Sequence, residues 1–131
     1  MVLNLKGSFS YKTCEEMVND ALVRSKELGN SVLNDLAALM EKLGQLEASL
    51  KIRRSLVEHT KPADGEEASG EHAKWLNNLA LLLWRLGRHS DAVPYQKDAV
   101  RIKRLRQDAD LAEYQEELEG LEAGKKYPYN A

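Results

Sequence analysis

The sequence predicts an all-α fold of antiparallel helix hairpins that stack as a solenoid. The 131-residue chain contains only three prolines and eight glycines, and the stretches between them are rich in strong helix formers. Apolar residues recur at spacings of three and four, which is typical of helices rather than strands. A short leucine- and asparagine-containing motif also occurs twice. Together these observations favour a repeat protein made of about six helices.

The helix boundaries are expected at glycines and at one polar loop. Gly29, Gly44 and Gly87 each follow a leucine, where a left-handed residue can close a helix. The segment 60–70 is polar and rich in turn residues, so we expect a solvated loop. The predicted helices span residues 11–28, 31–43, 46–59, 71–86, 90–106 and 108–123. We expect one domain over residues 1–131, with an N-terminal arm at 1–10 and a C-terminal tail at 124–131.

Composition limits the classes of function. With 19 basic and 21 acidic residues and a pI near 5.9, the chain has no global field that would attract nucleic acid or anionic lipid. The longest apolar run, Leu79 to Trp84, has six residues, far below the ~20 needed to cross a bilayer. The N-terminus lacks the pattern of a signal peptide, and the single Cys14 fits a reducing compartment. We therefore expect a cytoplasmic protein without a membrane segment.

An internal repeat is the strongest pattern in the sequence. Residues 33–37 (Leu-Asn-Asp-Leu-Ala) align with residues 76–80 (Leu-Asn-Asn-Leu-Ala), and Leu43-Gly44 aligns with Leu86-Gly87, at a constant offset of 43 positions. Small residues then recur seven positions apart, which places them on one helix face and lets two helices pack closely. These pairs are Cys14 and Ala21, Ala48 and Ser55, and Ala92 and Ala99. Cys14 and Ala48 are 34 positions apart, whereas Ala48 and Ala92 are 44 positions apart. The difference of ten positions is about the length of the loop at 60–70, which is therefore interpreted as an insertion between repeats.

The second copy resembles the tetratricopeptide repeat. The residues that carry the resemblance are Leu76-Asn77-Asn78-Leu79-Ala80, Leu83, Leu86-Gly87-Arg88, Ala92, Tyr95 and Ala99. More narrowly, the pattern is similar to the longer variant found in kinesin light chains. The resemblance covers about residues 11–106 and implies two full repeats with a half-repeat at each end. Gln96 departs from it, because the family usually has an aromatic residue there.

The resemblance implies a protein-interaction scaffold that holds a peptide or helix of a partner in a concave groove. An asparagine amide both donates and accepts hydrogen bonds and so can hold a peptide backbone, Leu81 and Trp84 could form an apolar pocket, and basic residues would attract carboxylates. On this basis, Asn77→Ala with Trp84→Ala is expected to abolish partner binding at nearly unchanged stability. The groove residues are expected to be Asn34, Ala38, Glu41, Lys42, Lys74, Asn77, Asn78, Leu81, Trp84 and Arg85.

Structural alternatives stay open for these residues. Asn34 and Asn77 could instead hydrogen-bond a neighbouring helix and set the stacking. Trp84 could pack on the inserted loop or on the helix at 108–123, and Trp75 is expected in the core.

Two other functions are alternatives to peptide binding. The half-repeats leave apolar residues at both ends that could contact another copy, through homodimerisation or domain swapping. These residues are Phe9, Tyr11, Met17, Val18, Tyr114, Leu118 and Leu121. Basic runs at 51–54 and 101–106 suggest nucleic acid, but their interleaved apolar residues lie at core spacing, which favours a solvated helix face. An acidic series in the helix at 108–123 could pair with them. Nucleic acid is therefore an unlikely partner.

Catalytic and metal-binding patterns are weak, so we expect neither an enzyme nor a cofactor. His59, His72 and His89 are isolated from one another, with no zinc motif and no phosphate-binding glycine loop. Each lies near a predicted helix end, where a surface or capping role is expected. Cys14 occupies a small-residue packing position and is expected to be a buried, inert thiol.

Overall fold

The structure, a computed structural model, describes residues 11–129, with side chains from residue 13 onward. It contains α1 (Tyr11–Val23), α2 (Ser25–Leu28), α3 (Asn30–Lys42), α4 (Leu46–His59), α5 (Gly70–Arg85), α6 (His89–Arg106) and α7 (Leu111–Glu122). The described part of the chain has no strand, so the all-α prediction is confirmed. The predicted N-terminal arm with Phe9, the Tyr11 side chain and the last two residues of the tail lie outside this description.

Five helices, α3 to α7, begin and end within three residues of the predicted boundaries, whereas the first predicted helix is broken. The first predicted helix, 11–28, is divided into α1 and α2 at Arg24, whose φ of −97° and ψ of 19° depart from helical values. No glycine or proline stands at this position, so the sequence contains no local signal for the break. None of the helices described is both long and apolar enough to span a bilayer.

Three helices, α3, α5 and α7, end in the same way. Each is followed by a glycine with positive φ, namely Gly44 at 76°, Gly87 at 77° and Gly124 at 68°, a conformation that only glycine adopts without steric cost. The amide of the next residue then bonds a carbonyl of the last helical turn, as in a Schellman motif. These bonds are Gln45 N to Met40 O at 2.8 Å, Arg88 N to Leu83 O at 2.8 Å and Lys125 N to Gly120 O at 3.0 Å. The shared ending supports α7 as the leading helix of a further half-repeat.

The chain forms two compact units, which divide between Leu56 and Val57 in the last turn of α4. The first unit contains α1, α2, α3 and most of α4. Its core includes Cys14, Ala21 and Ala48, which are buried as the small-residue pattern predicts, whereas Ser55 is half-buried. Larger side chains complete the core: Val18, Leu33, Met40, Ile52 and Leu56.

The second unit contains α5, α6 and α7. A three-residue turn joins α5 and α6 into a hairpin, and α7 packs against α6. Ala92 and Ala99 are fully buried at the predicted close-packing positions. Gln96, where the family usually has an aromatic residue, is also buried, and its Nε2 donates to the Tyr114 carbonyl at 3.0 Å. This side chain therefore ties α6 to the backbone of α7.

The inserted loop is anchored at its base. Residues 61–67 are exposed, as expected of a solvated loop. The Ser69 hydroxyl accepts a hydrogen bond from the His72 backbone amide at 3.0 Å and so caps α5. The His72 ring is buried rather than at the surface, because its Nδ1 lies 2.8 Å from the Thr60 hydroxyl on the other side of the loop. Burial lowers the pKa of His72.

Candidate functional site

In the first unit, two of the predicted groove residues are held by α4. Arg53 is buried, and its Nη1 donates to Asn34 Oδ1 at 2.9 Å while its Nε donates to Glu41 Oε2 at 2.7 Å. The Ser49 hydroxyl donates to the same carboxylate oxygen at 2.5 Å. Asn34 and Glu41 are therefore used to join α3 to α4. The other two members of the predicted set in this unit, Ala38 and Lys42, are half-buried and exposed, respectively.

The equivalent asparagine of the second unit has a different environment. Asn77 lies 43 positions after Asn34. In the second helix of the repeat the offset is 44 positions, as from Ala48 to Ala92, so the counterpart of Arg53 is Lys97, which is exposed. Asn77 is 9% exposed, and its Oδ1 finds no hydrogen-bond partner within residues 11–129. A buried acceptor without a partner costs about 1–3 kcal/mol, and the hydrogen-bonding capacity of this oxygen is unused within the described residues.

Asn77 lies in an open pocket of about 810 Å³ between α5, the α6–α7 turn and α7. Lys74, Asn77 and Asn78, three of the predicted groove residues, line its α5 side. The opposite side of the pocket was not foreseen from the sequence. It is formed by the end of α6, the α6–α7 turn and α7, with the residues Lys103, Arg106, Asp108, Ala109, Asp110, Glu113 and Tyr114.

Facing residues of α5 and α7 follow one register. The pocket is lined by Lys74 and Asn78 of α5 and by Asp110 and Tyr114 at the start of α7, and each of these α5 residues precedes one of the α7 residues by 36 positions. Trp84 and Gly120 have the same separation, and they are in direct contact. Helical spacing then places Leu81 level with Glu117, one turn beyond Asn78 and Tyr114. We call this surface the α5–α7 groove, with an open half at Lys74 to Asn78 and a closed half at Leu81 to Trp84.

Charges in the open half are partly paired already. Lys103 Nζ lies 3.1 Å from Asp110 and 3.5 Å from Asp108, and also 4.9 Å from the centre of the Tyr114 ring. Burial, followed by the neighbouring Asp110 charge, raises the pKa of Tyr114 to about 12, so its hydroxyl keeps its proton at neutral pH. Lys74 and Glu71 are both exposed on the α5 side, where Lys74 Nζ lies 5.1 Å from the centre of the Trp75 ring and Glu71 Oε1 accepts from Trp75 Nε1 at 3.1 Å. Glu113 is exposed on α7. The α5 rim of the open half therefore carries both signs of charge, whereas Glu113 makes the α7 rim acidic.

The closed half is covered by the C-terminal tail. Trp84 is 3% exposed, and its Nε1 donates to the Lys125 carbonyl at 2.7 Å. The His89 Nε2 donates to the same carbonyl at 2.8 Å. The Tyr127 ring meets Trp84 edge-on at 6.2 Å between centroids, and the Tyr129 ring meets Tyr127 at 5.5 Å. Trp84 thus packs between α7 and the tail instead of lining an open pocket.

A buried carboxylate lies beside the tail. Glu117 is 5% exposed and is hydrogen-bonded to Tyr129, while its Oε2 has no partner in the described chain. Burial, and then the nearby charges of Glu113 and Glu116, raise the pKa of Glu117 to about 7. Two predicted groove residues also belong to this end: Leu81 is half-buried, and Arg85 is half-buried, with no hydrogen-bond partner for its Nε among the described residues.

The basic runs are largely paired within the chain. In the run at 101–106, Arg101 lies 3.6 Å from Asp98, and both Lys103 and Arg106 contact Asp108. In the run at 51–54, Lys51 lies 3.6 Å from Glu15, and Arg53 pairs with Glu41. The acidic series of α7 reaches α6 through Glu122, 3.9 Å from Lys97. This pairing does not favour nucleic-acid binding.

The remaining chemical features are the cysteine thiol and the residue types that bind metals. Cys14 is buried as a free thiol. Residues 11–129 contain no group of three or more His, Cys, Asp or Glu side chains that could hold a metal ion.

Consecutive hairpins with a common closing turn define a helical-hairpin repeat protein. Residues 30–104, more than half of the chain, match the family model of the tetratricopeptide repeat. The chain belongs to the tetratricopeptide repeat family. The match is to the family as a whole, so the kinesin-light-chain variant remains a resemblance. A comparison with curated proteins finds no match.

Proposed function

We propose that this protein is an interaction module that holds an extended segment of a partner protein in the open half of the α5–α7 groove. Tetratricopeptide repeats generally mediate protein–protein interactions and are typically non-catalytic. The observation that carries the proposal is the unpartnered Asn77 oxygen, nine-tenths buried on the wall of an open pocket.

The chemistry of the pocket fits a peptide backbone. An extended peptide presents backbone N–H groups, and one of them can satisfy Asn77 Oδ1 once the amide, whose oxygen is buried, turns toward the pocket. The neighbouring Asn78 amide is half-buried on the same wall. Lys74 and Glu113 on opposite rims would favour an acidic side chain toward α5 and a basic one toward α7. The proposed ligand is therefore an extended segment of mixed charge.

Selection from a random peptide library displayed on phage, with the full chain as bait, tests this proposal. Binding of the enriched peptides is then measured by calorimetry for the native chain, Lys74→Ala and Asn77→Ala. We expect each substitution to weaken binding at least tenfold, about 1.4 kcal/mol. Asn77→Ala should not lower thermal stability, because it removes an unpartnered buried acceptor.

Arg104→Ala is the matched control, since Arg104 is exposed on α6 and does not line the pocket. It should leave peptide affinity unchanged. Equal affinity of the selected peptides for the native and Asn77→Ala chains would refute the proposed binding mode.

Self-association is the second candidate, and an exposed stripe on α3 favours it. Val32, Leu39 and Leu43 are 47%, 46% and 51% exposed, and their spacing of seven and four residues places them on one helix face. By contrast, the end residues expected to contact another copy are largely covered within the chain: Val18, Tyr114 and Leu121 are buried, and Met17 and Leu118 are half-buried. Light scattering over a range of concentrations, with Leu39→Lys as the disrupting variant, tests this. A monomer at high micromolar concentration would exclude it.

A further inference from the structure

The tail residues Lys125 to Tyr129 lie on the closed half of the groove without forming a helix. We propose that this closed half is a recognition site for an extended, tyrosine-bearing segment, which residues 125–129 occupy in cis and a partner segment of the same chemistry replaces. This inference rests on the proposed function, because the partner is taken to enter along the groove.

The first support is the way in which the groove holds the tail. Two side-chain donors, Trp84 Nε1 and His89 Nε2, converge on one backbone carbonyl, that of Lys125. A backbone carbonyl is common to all residues, so these donors recognise an extended chain rather than a lysine. The tyrosine rings then supply the selectivity, since Tyr127 packs edge-on against the indole and Tyr129 bonds Glu117. A segment from another protein can make the same contacts.

The second support is the shallow attachment of the tail. Lys125, Lys126, Pro128 and Tyr129 are all exposed, and Tyr127 is half-buried. The tail therefore contacts Trp84 and Glu117 while four of its five residues stay exposed. Segments with few buried contacts open at a small fraction of the global unfolding free energy, so exchange of the tail does not require unfolding of the helices.

The third support is continuity with the open half. Leu81 and Glu117 stand one helical turn beyond Asn78 and Tyr114, so a segment in the pocket that continues along the groove reaches the tail. Charge agrees with this, because Glu113 and Glu116 surround Glu117 and the tail carries Lys125 and Lys126 ahead of its tyrosines. The replacing segment is accordingly expected to carry basic residues next to a tyrosine.

A fluorescent peptide of residues 124–129, Gly-Lys-Lys-Tyr-Pro-Tyr, is a direct probe. Its binding is measured by anisotropy to the full native chain and to the full chain with Tyr127→Ser and Tyr129→Ser. In the native chain the tail competes at an effective concentration on the order of millimolar. We expect the double variant to bind the peptide at least tenfold more tightly than the native chain does.

The two tryptophans provide an internal control by NMR. In the double variant the Trp84 indole N–H should shift and exchange faster with solvent, and peptide addition should reverse both changes. The Trp75 indole N–H, which donates to Glu71 Oε1 at 3.1 Å, should stay unchanged. Equal helicity of the two chains by circular dichroism is also expected.

Matched controls test the chemistry. Lys126→Ala leaves the tyrosines and the Lys125 carbonyl in place, so this variant should bind the peptide as weakly as the native chain does. A peptide with serine at both tyrosine positions should not bind, and phosphotyrosine at the last position should abolish binding because a dianion would face Glu117.

Three outcomes would overturn the inference. The native chain and the double variant could bind the peptide with equal affinity, or the double variant could lose helicity. The third is that the tail leaves the groove only when two copies of the chain exchange tails in a dimer. Any of these leaves the Asn77 test intact, since library peptides can still bind the open half. Conversely, a negative Asn77 test with positive tail exchange would reject only the proposed function.

Discussion

The edge of the Trp84 indole fills the space that a side chain at Gly120 would need. A β-carbon on Gly120 would lie 2.7 Å from Cη2 and 3.2 Å from Cζ2 of the ring. Gly120→Ala should therefore destabilise the protein, because overpacking costs about 1–3 kcal/mol and the gain in helix propensity returns about 1 kcal/mol. We expect a net loss of about 1 kcal/mol in denaturant unfolding.

Gly70→Ala is the control for this substitution, since it also lies in a helix. Its β-carbon would meet only the guanidinium of Arg106, at 3.4 Å, and Arg106 is an exposed side chain that can move. Gly70→Ala should leave stability unchanged or slightly higher. Equal losses for the two variants would contradict the close approach of α5 and α7.

Trp84→Ala should lose about 3–5 kcal/mol of stability, as is usual for truncation of a buried tryptophan. This differs from the expectation that Trp84 and Asn77 could be replaced together at nearly constant stability, because Trp84 packs against Gly120 and Tyr127. Thermal unfolding of Trp84→Ala and Asn77→Ala separates the two positions. An unchanged stability of Trp84→Ala would show that the packing of the tail and of α7 does not depend on the indole.

Arg53→Ala should destabilise the first unit by about 2–3 kcal/mol. The substitution leaves Glu41 and Asn34 without the donor that joins them to α4, and breaking a buried ion pair is costly. The control is Arg54→Ala, an exposed neighbour on the same helix that should change stability by less than about 0.5 kcal/mol. Urea unfolding of both variants measures the difference. Similar losses of unfolding free energy would argue against the bonds from Arg53 to Asn34 and Glu41.

Glu117 should make stability depend on pH. Its pKa rises from the ordinary 4.5 to about 7 in the folded chain, so the folded state binds the proton more tightly than the unfolded state does. The resulting stabilisation is complete below about pH 4.5 and is lost as pH rises through about 7. Glu117→Gln should therefore be more stable than the native chain at pH 8, by about 2–4 kcal/mol.

Unfolding free energies of both chains between pH 4 and pH 9 test this. Glu119→Gln, at an exposed position of the same helix, should retain the native pH dependence. An unchanged slope for Glu117→Gln would mean that Glu117 is not the titrating group.

Local residues predicted most of the fold. The glycines after leucine placed the ends of α3 and α5, and the small residues seven positions apart identified the buried faces of α1, α4 and α6. The break at Arg24 was missed because no residue there disfavours a helix. His72 was expected in a surface or capping role. Its burial was missed because its ring contacts Thr60 across an inserted loop, whose path has no signature in the sequence.

The candidate site was predicted only on one side. The resemblance to the tetratricopeptide repeat placed Lys74, Asn77 and Asn78 in one groove, and all three line one pocket of the structure. The facing residues Asp110, Glu113 and Tyr114 were not foreseen, since the packing of α7 beside α5 depends on Gly120 and on the Gln96 bond to the α7 backbone.

The sequence by itself determined the helices, their closing turns and the repeat, because each depends on residues within a few positions of one another. Only the tertiary structure decided which of two equivalent asparagines is already bonded. Asn34 meets Arg53 from the next helix, whereas Asn77 faces a pocket because the matching position is an exposed lysine. The tertiary structure also decided that Trp84 lies beneath the tail, where its indole bonds the carbonyl of Lys125, 41 positions away. Such contacts are set by the packing of whole helices, which local periodicity does not encode.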